Sequence, residues 1–323
     1  YYCVGYSTVK YELDGTKLKT LVGQRGRVAS ATVIATFLPR QVIDSMHSAL
    51  QSVKLDMHAL TLEPIAAINV LIPPTMRHLN LVLVDIGAGT SDVAITRNGS
   101  VIAYGMVPQA GDEITDAISQ QYLLDFNVAE QLKRDATNGL QCHFADIMGM
   151  EYDLSATEVL KPVLPNIRKL AESIAQQILE LNGNEPPQAV ILVGGGSLTP
   201  HLSDYVAEIM NLPMGRVAVR HPDKIDGIVD IPEELRLPDA VTPLGILKIA
   251  SLNTLHFLRV YVNDTEYSLF NFRDLTVSDA LLNAGIILKK LNGRPGLGAM
   301  LKINGENKFI PGTMGTMAQL LLD

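Results

Sequence analysis

The stretch Leu79 to Pro108, LNLVLVDIGAGTSDVAITRNGSVIAYGMVP, decides the fold. Its apolar run Leu81 to Val84 delivers Asp85 to the head of Ile86-Gly87-Ala88-Gly89-Thr90. Ser91 to Thr96 then runs back out, Asn98-Gly99 makes a two-residue turn of the kind that suits hairpins, and Val101 to Val107 returns. The pattern predicts three antiparallel strands with a tight glycine turn at one end and a carboxylate beside it. Such a turn can hold a phosphate chain and its metal. Glycines let backbone N–H groups approach the oxygens, Thr90 and Ser91 offer hydroxyls, and Asp85 faces the cation. Read alone, a glycine turn between two buried strands is also ordinary punctuation, so its neighbours must decide.

Upstream, Val42, Ile43, Met46, Ala49, Leu50 and Val53 recur at helical spacing behind Pro39, after strands predicted over Tyr2 to Leu13 and Val28 to Phe37. Leu60 to Leu62 reads as a short strand, and Glu63-Pro64 opens an apolar helix over Ile65 to Leu71. Downstream, Gly111-Asp112 starts a helix running to about Phe126, and Val128 to Asp135 makes another that carries Glu130 and Lys133. Cys142 to Leu154 reads as a hairpin. Ser155 caps a long helix to Leu181 that bends near Pro162 and Pro165. Ala189 to Val193 is a buried strand ending in the sharp turn Gly194-Gly195-Gly196, with Thr199-Pro200 as cap and first position of a helix to Met210. Val217 to Val219 is a strand, and Ala240 to Ser251 is a helix with a small-residue contact at Thr242-Pro243-Leu244-Gly245.

The character changes after a boundary placed near Asn253. Two hairpins, Leu258 to Phe270 and Met300 to Ile310, flank a helix over Thr276 to Ala284, the outline of a β-grasp module. The domain expectation is 1–75, 76–254 with an insertion at about 139–183, and 255–323.

Composition sets the outer limits. At 323 residues, 47% hydrophobic and 19% charged, the chain is long enough for two or three globular domains. Its net charge of −8, with no basic cluster longer than Lys133-Arg134 or Lys289-Lys290, argues against wholesale nucleic-acid binding. Cys3 and Cys142 have no partners at metal-ligand spacing, which fits a reducing cytoplasm, and the seven histidines form no ligand pair at helical spacing.

Four segments now stand in a meaningful order: LEPIAAI, VDIGAGTSDVAI, VILVGGGSLTPHL and AVTPLGILKIA. The order resembles the actin-like ATPase superfamily of actin, DnaK-type chaperones, MreB and FtsA, with a ribonuclease H-like α/β fold. The segments look like the first connecting helix, the second phosphate loop, the adenosine loop and the second connecting helix. Within the superfamily, residues 1 to 252 resemble FtsA. VGYSTVKYELDG and VGQRGRVASATVIATFLPRQVIDSM are similar to its 1C subdomain, and PQAGDEITDAI with AEQLKRD is similar to its later helices. The pilus protein PilM shares this plan and leaves open a non-catalytic scaffold for pilus or envelope assembly.

The resemblance implies ATP and Mg²⁺ as cofactors. Asp85 would hold the cation through water, and Gly87, Ala88, Gly89 and Thr90 would cradle the β- and γ-phosphates. Glu63 would orient the attacking water. Gly111 and Asp112 would approach sugar and phosphates, Glu130 and Lys133 would contact ribose or adenine, and Gly194, Gly195, Gly196 and Ser197 would let the base lie against bare backbone. Each role has a plainer counterpart: a strand-end cap for Asp85, a helix-dipole acid for Glu63, an ion pair for Glu130 and Lys133. A Rossmann reading of the glycines fails, because the third spaced glycine is missing.

Residue 1 corresponds to the middle of the first lobe, so the superfamily's first phosphate loop has no counterpart here, and hydrolysis by this chain is expected to be weak or nil. The FtsA resemblance implies cell division, self-association into a filament or dimer, division or envelope-assembly partners, and a cytoplasmic protein that meets the membrane only indirectly. The β-grasp-like tail is faintly similar to ThiS and ligand-binding β-grasp families and is expected to be an interaction module. A DnaK-type chaperone fits less well, because the tail is too short and has the wrong strand pattern for a substrate domain, and a sugar kinase has no place for the 1C-like segment.

Overall fold

The computed structural model describes residues 1–18, 20–55, 57, 60–222, 225, 227–251, 256–271, 276–286 and 295–315. The boundary expected near Asn253 and the Lys289-Lys290 pair lie outside them. The chain divides into two compact units, Tyr1–Lys54 with Leu60–Thr254, and Leu55–Ala59 with Leu255–Asp323.

The first unit opens with β1 (Tyr2–Leu13), β2 (Thr16–Leu18) and β3 (Ala29–Leu38), an antiparallel sheet in the order β2-β1-β3. Asp14 and Gly15 take positive φ at the turn, and the Asp14 carboxylate accepts from the Arg27 and Val28 amides at 2.8 to 3.1 Å. Helix α1 (Arg40–Ser52) follows Pro39. The short strand expected at Leu60 to Leu62 does not form. These residues join no ladder, and Leu62 is already the extended N-cap of α2 (Glu63–Leu71), whose first turn holds Pro64.

Next come β4 (Leu81–Ile86), β5 (Ser91–Arg97) and β6 (Ser100–Val107), the antiparallel trio read from the sequence. Helices α3 (Gly111–Tyr122) and α4 (Phe126–Thr137) follow. The first ends earlier than expected, because Leu123 turns left-handed and Asp125 caps the second through the Asn127 amide. Strands β7 (Cys142–Ala145) and β8 (Glu151–Leu154) form the expected hairpin. Ser155 and Glu158 make a capping box for α5 (Ala156–Leu160), which passes through a single 3₁₀ turn at Lys161–Val163 into α6 (Leu164–Leu181). Strand β9 (Ala189–Val193), α7 (Leu202–Ile209), β10 (Val217–Val219) and α8 (Val241–Ser251) complete the unit. Thr199-Pro200 does not cap α7. The chain makes a 3₁₀ turn at Gly195–Leu198, and left-handed His201 takes the cap position.

The five central strands lie in the order β10-β9-β4-β5-β6, with β4 parallel to β9 and antiparallel to β5. All six residues of β4 are buried, as a central strand covered on both faces requires. Strand alternation assigns the faces. Val82, Val84, Ile86, Val93 and Ile95 join the core built with α3, α4, α6 and α7. Leu81, Leu83 and Ala94 join the opposite core with Ala67 and Ile68 of α2 and Val241 of α8. Asp85 has the parity of Leu81 and Leu83, and Asp92 that of Ala94, so both carboxylates emerge on the α2 and α8 side.

The second unit holds β11 (His256–Val262), β12 (Thr265–Asn271), α9 (Val277–Asn283), β13 (Ala299–Ile303) and β14 (Glu306–Ile310). The two hairpins close on left-handed Asn263-Asp264 and Asn304-Gly305, and α9 packs against β11 and β12. Two hairpins and one helix are present as expected. Among the described residues the hairpins are separate two-stranded sheets.

Candidate functional site

The β4 to β5 ladder ends with Ile86 paired to Ser91, so Asp85 stands directly opposite Asp92. Like charges in cross-strand contact repel, and the fold keeps them. Asp85 is 7% exposed, and burial pushes its carboxyl above the ordinary range, against a hydrogen bond from Thr242 that lowers it. Burial also raises Asp92, the Asp85 charge adds to that, and the Thr90 hydroxyl opposes it. Glu63, at the first turn of α2, is raised by partial desolvation and then by the charges of Asp85 and Asp92. Three carboxylates therefore feel one another at the end of β4. Asp92 was not singled out in the sequence. The signal was available: in a tight hairpin that pairs Ile86 with Ser91, the next pair outward is Asp85 with Asp92.

Between the strands, Gly87 to Thr90 is exposed. The Gly87 amide closes the turn onto the Thr90 carbonyl at 2.9 Å, while the amides of Ala88, Gly89 and Thr90 donate to no backbone carbonyl among the described residues. The Ser91 hydroxyl, offered to a ligand in the sequence reading, is engaged within the fold. Thr90 serves Asp92, and buried Ser91 donates to the Gln109 carbonyl at 2.8 Å. The amides of Ala88, Gly89 and Thr90 are the donors this turn leaves for an anion.

Helix α3 is fastened to this turn. The Gly111 amide donates to the Gly87 carbonyl at 3.1 Å and the Asp112 amide to the Ala88 carbonyl at 2.8 Å. Behind it, Lys133 of α4 donates to the Gly111 carbonyl at 3.0 Å and to Thr115 Oγ1 at 2.7 Å, and pairs with Glu130 at 2.6 Å. All three ammonium protons have partners, and the side chain is 14% exposed. Glu130 also accepts from the Thr115 hydroxyl and pairs with Arg134. The structure thus brings Glu130 and Lys133 to the site as a brace for the start of α3, with the ion pair that their spacing allows.

The triple glycine lies across the same strand end. A side chain at Gly194, whose φ is +81°, would collide with the Ile86 carbonyl and with Asp85 Oδ1. One at Gly196 would stand 2.5 Å from Ile86 Cγ2 and 2.9 Å from the Gly87 carbonyl. Backbone packing of two loops requires both glycines. Gly195 has only Asp239 Cβ near its open face, at 3.9 Å. The Ser197 hydroxyl is buried and donates to the Gly194 carbonyl at 2.7 Å.

Helices α2 and α8 begin beside Asp85, through Glu63 and Thr242, and α3 begins against the glycine turn, so helix starts gather at this strand end. Among the described residues no three His, Cys, Asp or Glu side chains stand close enough to hold a metal directly. The donor set fits Mg²⁺ that keeps its waters and meets one carboxylate through them, with the turn amides left for phosphate.

The family model for cell division protein FtsA matches residues 82–245. Cell division protein FtsA of Pseudomonas aeruginosa is 25% identical over 229 residues, covering 66% of this chain and 52% of the relative. That of Bacillus subtilis is 19% identical over 247 residues, covering 74% of this chain and 53% of the relative. The chain thus spans about half the length of the curated relatives it matches. Among solved structures, a PilM-PilN type IV pilus biogenesis complex superposes with a TM-score of 0.54 at 19% identity, covering 70% of this chain and 62% of that one, a likeness of fold.

Proposed function

The chain belongs to the cell division protein FtsA family, and from that membership we propose that it is an actin-like, Mg-nucleotide-binding component of bacterial cell division, with ATP as its nucleotide. The observation that carries the reading is the convergence of Glu63, Asp85 and Asp92 beside an exposed glycine turn, at a strand end where helix starts gather. Such a site opposes like charges to one another and is relieved by a hydrated cation, while its amides and helix ends favour the phosphates the cation accompanies.

In this reading Asp85 holds Mg²⁺ through water, and the amides of Ala88, Gly89 and Thr90 take phosphate oxygens. Gly87 supplies the close turn and Glu63 orients water toward the terminal phosphate. Gly111, Asp112, Glu130 and Lys133 set the wall on the α3 side. Gly194, Gly196 and Ser197 shape the opposite loop, and Gly195 gives it an open face for the base. Titration with a fluorescent ADP in magnesium and then in chelator tests it. Binding should be magnesium-dependent, and Asp85→Asn should remove most of that dependence. Binding that is indifferent to both magnesium and Asp85 would sink the reading.

The same reading includes self-association and partners of the division machinery, at the cytoplasmic face of the membrane. No helix among the described residues is long and apolar enough to cross a membrane, and the reading assigns the membrane contact to partners. Sedimentation with and without Mg-ATP checks self-association. A monomer at high concentration in both conditions favours the PilM-like scaffold instead.

A further inference from the structure

Resting on the nucleotide reading above, we infer that Thr242 of α8 is a positioning residue for the cation: it fixes the Asp85 carboxylate in the orientation that receives the magnesium water shell. The two oxygens of Asp85 are held differently. Oδ2 accepts from the Thr242 hydroxyl, across 157 residues of sequence. Oδ1 stands where a Cβ on Gly194 would collide with it, so the glycine leaves no room for a side chain there. Gly194 is itself anchored, its amide donating to the Pro238 carbonyl at 3.0 Å, in the turn that leads into α8. One hydrogen bond and one backbone wall, both tied to the start of α8, therefore set the rotation of this carboxylate. Without them it is free to turn away from Asp92, its cross-strand neighbour of like charge.

Thr242 suits the task. It is the second residue of α8, where a β-branched side chain is restricted at χ1 to a few rotamers. The same helix crosses α2 with Gly245 against the Ala66 carbonyl, and α2 begins with Glu63. Thr242 thus links the carboxylate that meets the cation to the helix pair that carries the water-orienting acid. Removing the hydroxyl while keeping the shape leaves Asp85 buried, unpaired on one oxygen, and free to rotate.

The test is the magnesium gain, the ratio of ADP dissociation constants in chelator and in magnesium, read by fluorescence titration of the whole chain. Thr242→Val should lower that gain about tenfold, the loss expected for one hydrogen bond to a charged group, and Thr242→Ser should restore it to within about twofold. Thr242→Ala gives the same comparison if valine disturbs the helix start. On an Asp85→Asn background, Thr242→Val should change the gain no further, because the hydroxyl acts through that carboxylate. A Thr242→Val protein that melts earlier but keeps its magnesium gain would make the bond a structural tie and overturn the inference. So would effects of the two substitutions that simply add. If the unsubstituted chain shows no magnesium gain, or Asp85→Asn leaves it intact, the nucleotide reading itself falls. That result appears with Thr242 in place and is distinct from the others.

Discussion

Three carboxylates raised by burial, and at Glu63 and Asp92 also by neighbouring negative charge, leave a signature in stability. A carboxyl whose folded pKa lies above its unfolded value binds its proton more readily in the fold. The stability it contributes is full below the ordinary carboxylate range and is lost as pH rises through the raised value. At pH 7 Asp92 is then a destabilising charge in the nucleotide-free protein, since burial and the Asp85 charge both push it up. Asp92→Asn should raise the melting temperature of the nucleotide-free chain by about 1–3 °C at pH 7 and by less at pH 4, because lowering the pH favours the uncharged carboxyl that the fold prefers. Thermal denaturation at the two pH values reads this, and a fall at pH 7 would show the charge to be stabilising. The glycines separate in the same assay. Gly194→Ala sets a Cβ against the Ile86 carbonyl at a φ of +81° and should cost about 2–4 kcal/mol. Gly89→Ala meets nothing within 4 Å and should cost less than about 0.5 kcal/mol. At this scale the sequence disclosed Asp85 and Glu63 through their places beside a turn and a helix start. Thr242 was invisible as a partner of Asp85, because no local pattern connects residues so far apart. That the Ser91 hydroxyl is already engaged by the Gln109 carbonyl was not legible, because composition shows which donors exist and only packing shows which are taken.

Among the elements, the crossing of α2 and α8 sets where Glu63 and Thr242 stand. Gly245 was legible as a small-residue contact, and the structure gives its reason: a Cβ there would collide with the Ala66 carbonyl. The crossing is further tied by polar bonds around Asn69, which accepts Lys248 on its carbonyl at 3.1 Å and Arg77 on its side chain at 3.0 Å. Gly245→Ala should push the helices apart by the width of a methyl group, costing about 1–3 kcal/mol. It should also weaken magnesium-dependent ADP binding, because both helix starts move. Unchanged binding in a folded Gly245→Ala protein would uncouple the crossing from the site. Elements with strong periodic patterns were legible throughout: β4 to β6, α2, and the capped bend from Ser155 into α6. Those that failed are short and depend on neighbours. Leu60 to Leu62 has strand-like residues but no strand to pair with. Thr199-Pro200 has a cap's chemistry, yet the preceding glycine turn carries the chain one step further before α7 starts.

For the whole molecule, all candidate residues lie between Glu63 and Thr242, and the three hydrophobic cores described draw only on residues from Ala67 to Leu244. The order of four segments, three of them bearing glycine, made this unit legible through the fold it resembles, and the structure sets the sheet order β10-β9-β4-β5-β6 with the two connecting helices on one face. The second unit was legible only as an outline, because hairpin turns are local signals and the pairing between hairpins is not. A consequence can be measured. A chain ending at Thr254 keeps every group proposed to meet nucleotide and every core that positions them. Its response to Mg-ADP should therefore match that of the full chain within about 1 °C. At a ligand concentration one hundred times Kd, binding to the folded state alone adds about 2.7 kcal/mol, a rise of about 5 °C or more for a unit of this size. A shortened chain that melts cooperatively but no longer responds would move part of the site into residues 255–323. An equal response from both chains would confine nucleotide binding to the sheet and the helices that begin at its edge, leaving the second unit free for contacts of another kind.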